Sequence, residues 1–187
     1  MKRYFSLLAC LFPLFLGGFQ SVELSPQSRL VRAEQRLAAA ITEEERFYAL
    51  GNAAMTNYET DQFEKAEKYA KELLTLAPNY PKNWNYGNAI HKGYLVLGHL
   101  ALKGGDLEKA KSYLFASVKS PGSPQLNSFG PNMTLAKELL AKGETESVLN
   151  FFTQCESFWK MGQESLAKWR NQIKEGKTPD FGGNLYY

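Results

Sequence analysis

The stretch GYLVLGHLALKGGDLEKAKSYLFASV, Gly93 to Val118, decides the fold. Gly104-Gly105-Asp106 divides it, offering a left-handed stop for one helix and a cap for the next. On the near side Tyr94, Leu97, Gly98 and Ala101 recur at helical spacing, and on the far side Leu107, Ala110, Leu114 and Val118 do the same. Two antiparallel helices approach closely only where small side chains meet, so Gly98 is expected against Ala110.

The pattern returns on either side. In a 34-residue frame the middle unit fills positions 4, 7, 8, 11, 15, 16, 17, 20, 24 and 28 with Tyr94, Leu97, Gly98, Ala101, Gly105, Asp106, Leu107, Ala110, Leu114 and Val118. An earlier unit places Leu50, Ala53, Ala54, Asp61, Phe63, Ala66, Ala70, Leu74 and Pro78 in the same frame, with Ala54 expected against Ala66. A later one places Leu135, Ala136, Leu139, Gly143, Val148, Phe152 and Cys155, without the large residue at position 4 or the closing proline.

These positions resemble the tetratricopeptide repeat. The resemblance implies an all-α chain, a short right-handed α-solenoid of about three helical hairpins over residues 47–80, 91–124 and 129–162. Ser120 to Met133, Gly87 to His91 and Pro179 to Gly182 further resemble segments of exported bacterial members, to which no reaction is attached.

A leading helix is expected over 26–41, with Ser25 as cap, Pro26 at the first position, and Leu30, Ala33, Leu37 and Ile41 on the buried face. Thr42 and Glu45 form a capping box for the next helix. Leu166, Trp169 and Ile173 mark a closing helix over 163–176, followed by a tail, 177–187, whose apolar residues fold back on the array. The units are spaced by more than one repeat length, and the surplus forms two connectors. Asn79 to Asn88 is rich in aromatic and amide side chains, and Ser120 to Asn132 is rich in turn residues.

Ahead of this domain, 22–187, Lys2 and Arg3 precede an apolar run from Tyr4 to Phe15, the layout of a signal peptide over 1–21. A periplasmic or secreted protein follows. The alternatives are membrane anchorage through an uncleaved leader or lipid attachment at Cys10, which closes the lipobox-like Leu7-Leu8-Ala9-Cys10. Without the leader, 20 basic side chains face 19 acidic ones, so no footprint for nucleic acid remains. Cys155 is then the single thiol and reads as a core residue.

Catalytic and cofactor signals are missing from the sequence. His91 and His99 lie eight residues apart on one helix, about 12 Å, with no metal-ligand spacing and no nucleophile–base pattern. Glu43-Glu44-Glu45 and Glu144-Thr145-Glu146 sit at helix starts, where acids favour the dipole. Neither a cofactor nor a metal is expected, and no enzyme activity.

In tetratricopeptide arrays the residues at positions 2, 5, 9 and 12 of each first helix face a concave groove. Here they are Tyr48, Gly51, Met55 and Tyr58; Lys92, Leu95, His99 and Leu102; and Gly130, Met133, Lys137 and Leu140. Tyr48, Met55, Tyr58, Lys92, His99 and Lys137 are the candidate partner-binding residues, with no acid among the twelve. The resemblance therefore implies a scaffold that holds a partner protein or extended, acidic peptide. The alternatives are a structural envelope component, or an accessory enzyme subunit using Asn83, Asn88, Asn127, Asn132 and His91. The chain's own leading helix, closing helix or tail also competes for the groove.

Overall fold

The computed structural model describes residues 25–186, so the leader and Cys10 lie outside the described residues. The first helix, α1, runs Pro26–Ala38, with the Ser25 hydroxyl accepting from the Ser28 amide and Pro26 in the first turn. It stops short of Ile41, which is 92% exposed rather than buried. The cause is the capping box of α2, Glu43–Glu59. Glu45 accepts from both the Ile41 and Thr42 amides, at 2.8 and 3.0 Å, and the bound chain turns there. Those two backbone bonds hold the Glu45 carboxyl below the usual carboxylate range.

Three hairpins follow: α2 with α3, Phe63–Leu76; α4, Tyr86–Lys103, with α5, Leu107–Ala116; and α7, Thr134–Ala141, with α8, Thr145–Cys155. One turn geometry joins all three. Position 15 is left-handed in each, Asp61 at φ 60°, Gly105 at 82° and Gly143 at 86°. The amide after it reaches back five residues, Gln62 to Asn57, Asp106 to Ala101 and Glu144 to Leu139, at 2.8, 2.9 and 3.0 Å. With the position-15 amide bonding back three residues, Asp61 to Tyr58, Gly105 to Leu102 and Gly143 to Leu140, this satisfies carbonyls that the first helix would otherwise leave open. Gly105 and Gly143 have open space where a Cβ would stand, so their φ, not crowding, requires glycine.

Position 20 is fully buried in each hairpin, as Ala66, Ala110 and Val148. Gly98, however, does not owe its size to Ala110. A Cβ there would fall 2.3 Å from Leu135 Cδ2 and 3.4 Å from Tyr113 Cβ, so the tight approach is chiefly between the second and third hairpins. No strand occurs among the described residues, and no described helix is long and apolar enough to cross a membrane.

The second connector is part of the core. Ser123 caps a short helix, α6, Pro124–Phe129, repeating the Ser-Pro start of α1. Ser123, Leu126, Asn132 and Met133 are buried. The third hairpin consequently starts late: Gly130 stands at φ 84° outside any helix, because the Trp159 ring fills the place of a side chain, and Asn132 Oδ1 accepts from the Thr134 amide. Gly130 and Met133 therefore do not face a groove from a helix, and Leu95 is wholly in the core.

The closing helix α9, Gln163–Lys174, buries Leu166, Trp169 and Ile173. The tail folds back over it: Phe181 is 1% exposed, edge-on to Trp169 at 4.9 Å, while Trp169 Nε1 donates to the Asp180 carbonyl. Cys155 is buried beneath this lid, and burial pushes its thiol well above the ordinary range.

Candidate functional site

The inner faces of α2 and α4 and the start of α7 line a concave trough, which α1 flanks on one side. Its two ends are cavities of about 650 and 560 Å³ that share Arg36, Asn52 and Lys92, and a third of about 480 Å³ opens beside Lys92 under Phe129 and the tail. Lys92 is common to all three and marks the centre of the floor.

Lys92 stands there because α2 carries Gly51. The lysine Cδ lies 3.2 Å from where a Gly51 Cβ would be, so its stem crosses the glycine and the ammonium reaches Asn52 Oδ1 at 2.7 Å. Protein surrounds it on most sides while water enters from the trough, and this desolvation lowers its pKa, opposed by Glu59. An acidic group arriving beside Lys92 opposes that lowering and gains from the reduced screening.

The sequence expectations divide here. Tyr48 lines one end; Met55, Tyr58 and His99 line the other with Lys92. Lys137 is exposed and lines none of these cavities; its neighbour Glu138 takes the place, since one residue turns a helix face by about 100°. Glu59 and Glu138, outside the twelve positions taken from the repeat frame, add two acids to the lining.

His99 is 2% exposed and tied at both nitrogens, Nδ1 to Glu138 Oε2 at 2.8 Å and Nε2 to Thr134 Oγ1 at 2.9 Å, with its ring stacked on Tyr58. It couples the three hairpins and presents little surface to a ligand. Burial, followed by Glu138 and Asp61, raises the Tyr58 phenol to about 12, so it stays a neutral donor. His91 is also committed: Nδ1–H donates to the Ser117 carbonyl and Nε2 accepts from the Asn132 amide. Burial, helped by Lys92 and opposed by the Ser117 bond, takes its pKa down to about 4, and the imidazole is neutral.

Sequence reasoning missed the basic wall. Arg29, Arg32 and Arg36 of α1 line the Met55–His99 cavity, and Leu185 and Tyr186 of the tail close its far end. Arg29 pairs with Glu59 at 3.2 Å; Arg32 and Arg36 form no ion pair among the described residues. Their recurrence beside Ala33 and Leu37 was a readable stripe, seven residues from first to last. Among the described residues no cluster of three or more His, Cys, Asp or Glu side chains could hold a metal ion.

A solenoid of helical hairpins with a basic concave trough is thus the class that fold and site define. The tetratricopeptide-repeat family model matches residues 47–80 and 91–119, the segments of the first two hairpins. The third, which shares their turn geometry, lies outside the match. No curated protein and no solved structure matched the chain.

Proposed function

We propose that this protein is an exported, non-catalytic scaffold that holds a partner protein by an acidic, extended segment lying in the trough. One observation carries the reading: Arg32 and Arg36 line the trough without an ion-pair partner among the described residues, and Lys92 on its floor has only an amide oxygen. Cations in a concavity attract an acidic ligand more strongly than cations on an open surface, and steer its approach. The family match supports the reading, since tetratricopeptide repeats generally bind proteins or peptides. Export rests on the charged start and apolar run of 1–21.

The test is fluorescence anisotropy of a labelled Asp/Glu-rich dodecapeptide with the purified chain. Arg32→Glu with Arg36→Glu should weaken binding about tenfold or more and flatten its salt dependence, with the helical circular-dichroism signal retained. Lys137→Glu should change neither. Equal affinity of the double variant overturns the reading. For export, a tagged full-length chain should accumulate outside the cytoplasm, shortened by about 2 kDa, and intact precursor in the cytosol refutes it. Lipid labelling lost in Cys10→Ser would assign the tethered form instead.

A further inference from the structure

At the end of the trough away from His99, Trp84 is 53% exposed, whereas Trp159 and Trp169 are each 4% exposed. Leaving an indole in water forgoes a large gain from burial, so its display asks for a reason. Trp84 is not on a loose loop. The turn before α4 is closed by the Asn83 amide to the Tyr80 carbonyl and the Tyr86 amide to the Asn83 carbonyl, both at 3.0 Å. The Asn83 side chain fixes the turn from both directions, accepting from the Asn85 amide at 2.9 Å and donating to the Tyr48 hydroxyl at 2.7 Å. Tyr48 in turn lies under the indole, ring centroids 5.7 Å apart and 25° from parallel. The result is a supported aromatic platform on the wall of the 650 Å³ cavity.

Amides surround the same cavity. Asn52, Asn85 and Gln125 line it, and each has its carbonyl oxygen engaged, by Lys92 Nζ, Asn88 Nδ2 and Asn88 Nδ2 respectively. Their three NH₂ groups have no hydrogen-bond partner among the described residues. Arg36 and Lys92 add positive charge, and the Glu45 carboxylate in the lining accepts two backbone amides on one oxygen, Oε2.

We propose that this cavity is a subsite for a carboxylated pyranose, a sugar acid within an oligosaccharide. The apolar face of the ring rests on Trp84, the unpartnered amide groups donate to its hydroxyls, and Arg36 and Lys92 take its carboxylate. Planar platform, several neutral donors and a cation together match that ligand. An acidic peptide needs the cation but gives the platform and the spread of amides no regular role. Arg36 and Lys92 line both cavities and serve both readings, whereas Trp84 and Asn85 line this cavity and not the opposite one, where Arg32 stands.

The experiment titrates the full chain with tri-galacturonate, a hyaluronan tetrasaccharide and sialyl-lactose, reading intrinsic fluorescence and heat of binding, with maltotriose as uncharged comparator. Trp84 is the one exposed indole of the three, so a bound sugar should change its emission. At least one acid should bind saturably, about tenfold more tightly than maltotriose, and Trp84→Ala should weaken it about tenfold or more with the circular-dichroism spectrum unchanged. Asn85→Ala should weaken it with the fluorophore intact. Silence of all three acids, equal binding of maltotriose, or indifference to both variants overturns the proposal. Arg32 does not line this cavity, so Arg32→Glu with the acidic peptide reads the scaffold function, Trp84→Ala with the sugar acids reads this subsite, and either idea can fall alone.

Discussion

Replacing Gly98 with alanine tests how the hairpins stack. The new methyl would lie 2.3 Å from Leu135 Cδ2, and a normal carbon contact needs Leu135 to withdraw by about 1.2 Å. Leu135 is fully buried among the residues of the largest core cluster, so it has little room, and overpacking of this kind costs about 1–3 kcal/mol. Alanine in a helix interior returns about 1 kcal/mol over glycine. The expected net is a destabilisation of about 1 kcal/mol, or roughly 2–4 °C in Tm for a chain of this size. A double-mutant cycle isolates the contact. Leu135→Ala alone should cost about 2–5 kcal/mol, but in the Gly98→Ala background the added methyl occupies vacated space, so the pair should be less harmful than the sum by about 1 kcal/mol or more. Urea titration of the four proteins, followed by far-ultraviolet circular dichroism, measures it. A stabilised Gly98→Ala with no coupling to Leu135 would refute the inter-hairpin contact.

Gly143→Ala, at φ 86° with open space around it, should cost about 1–2 kcal/mol through backbone conformation alone, checked by urea titration; an unchanged midpoint would remove the third hairpin's turn from the set. His91 titrates near pH 4 folded against about 6.5 unfolded, so the unfolded chain binds its proton first and stability falls as pH drops between those values, by on the order of 3 kcal/mol in all. His91→Gln should flatten that part of the stability–pH curve relative to the parent, and equal slopes between pH 6.5 and 4.5 would contradict the neutral buried imidazole.

The repeat was legible because its demands are local and severe. A left-handed residue at position 15, a small or branched residue fully buried at position 20 and a capping box before α2 each leave few alternatives, and each recurs at a readable interval. The two exceptions have long-range causes. Position 8 of the middle unit is glycine because of Leu135, a residue 37 positions away and in the next hairpin, so spacing within one hairpin could not assign its partner. The late start of α7 arises from Trp159 seated on Gly130 and from His91 accepting the Asn132 amide, neither visible in a frame that continues its count through the connector. Once four helical positions are lost there, residues 130 and 133 leave the helix, and Glu138 rather than Lys137 lines the trough.

The trough's arginines and its exposed indole come from outside the repeat frame. Arg29, Arg32 and Arg36 belong to α1, Trp84 and Asn85 to the first connector, Gln125 to α6 and Tyr186 to the tail; the repeats contribute the floor at Asn52 and Lys92 together with Tyr48, Met55, Tyr58, His99 and Glu138. This division has an energetic basis. Helix faces that stack hairpins are constrained by burial, whereas connectors need satisfy only their turns and are free to carry polar and aromatic groups. The wall is nonetheless not an independent attachment, because α1 buries Ala33 and Leu37 against Phe47 and Leu50, both fully buried. Removing α1 to open the trough would expose that cluster, and so the arginines that meet a ligand ride on a helix the first hairpin needs. Selectivity can therefore be altered by exchanging charge along the outer stripe of α1, at little cost to folding, while the position of that charge over Lys92 stays fixed by the buried stripe beside it.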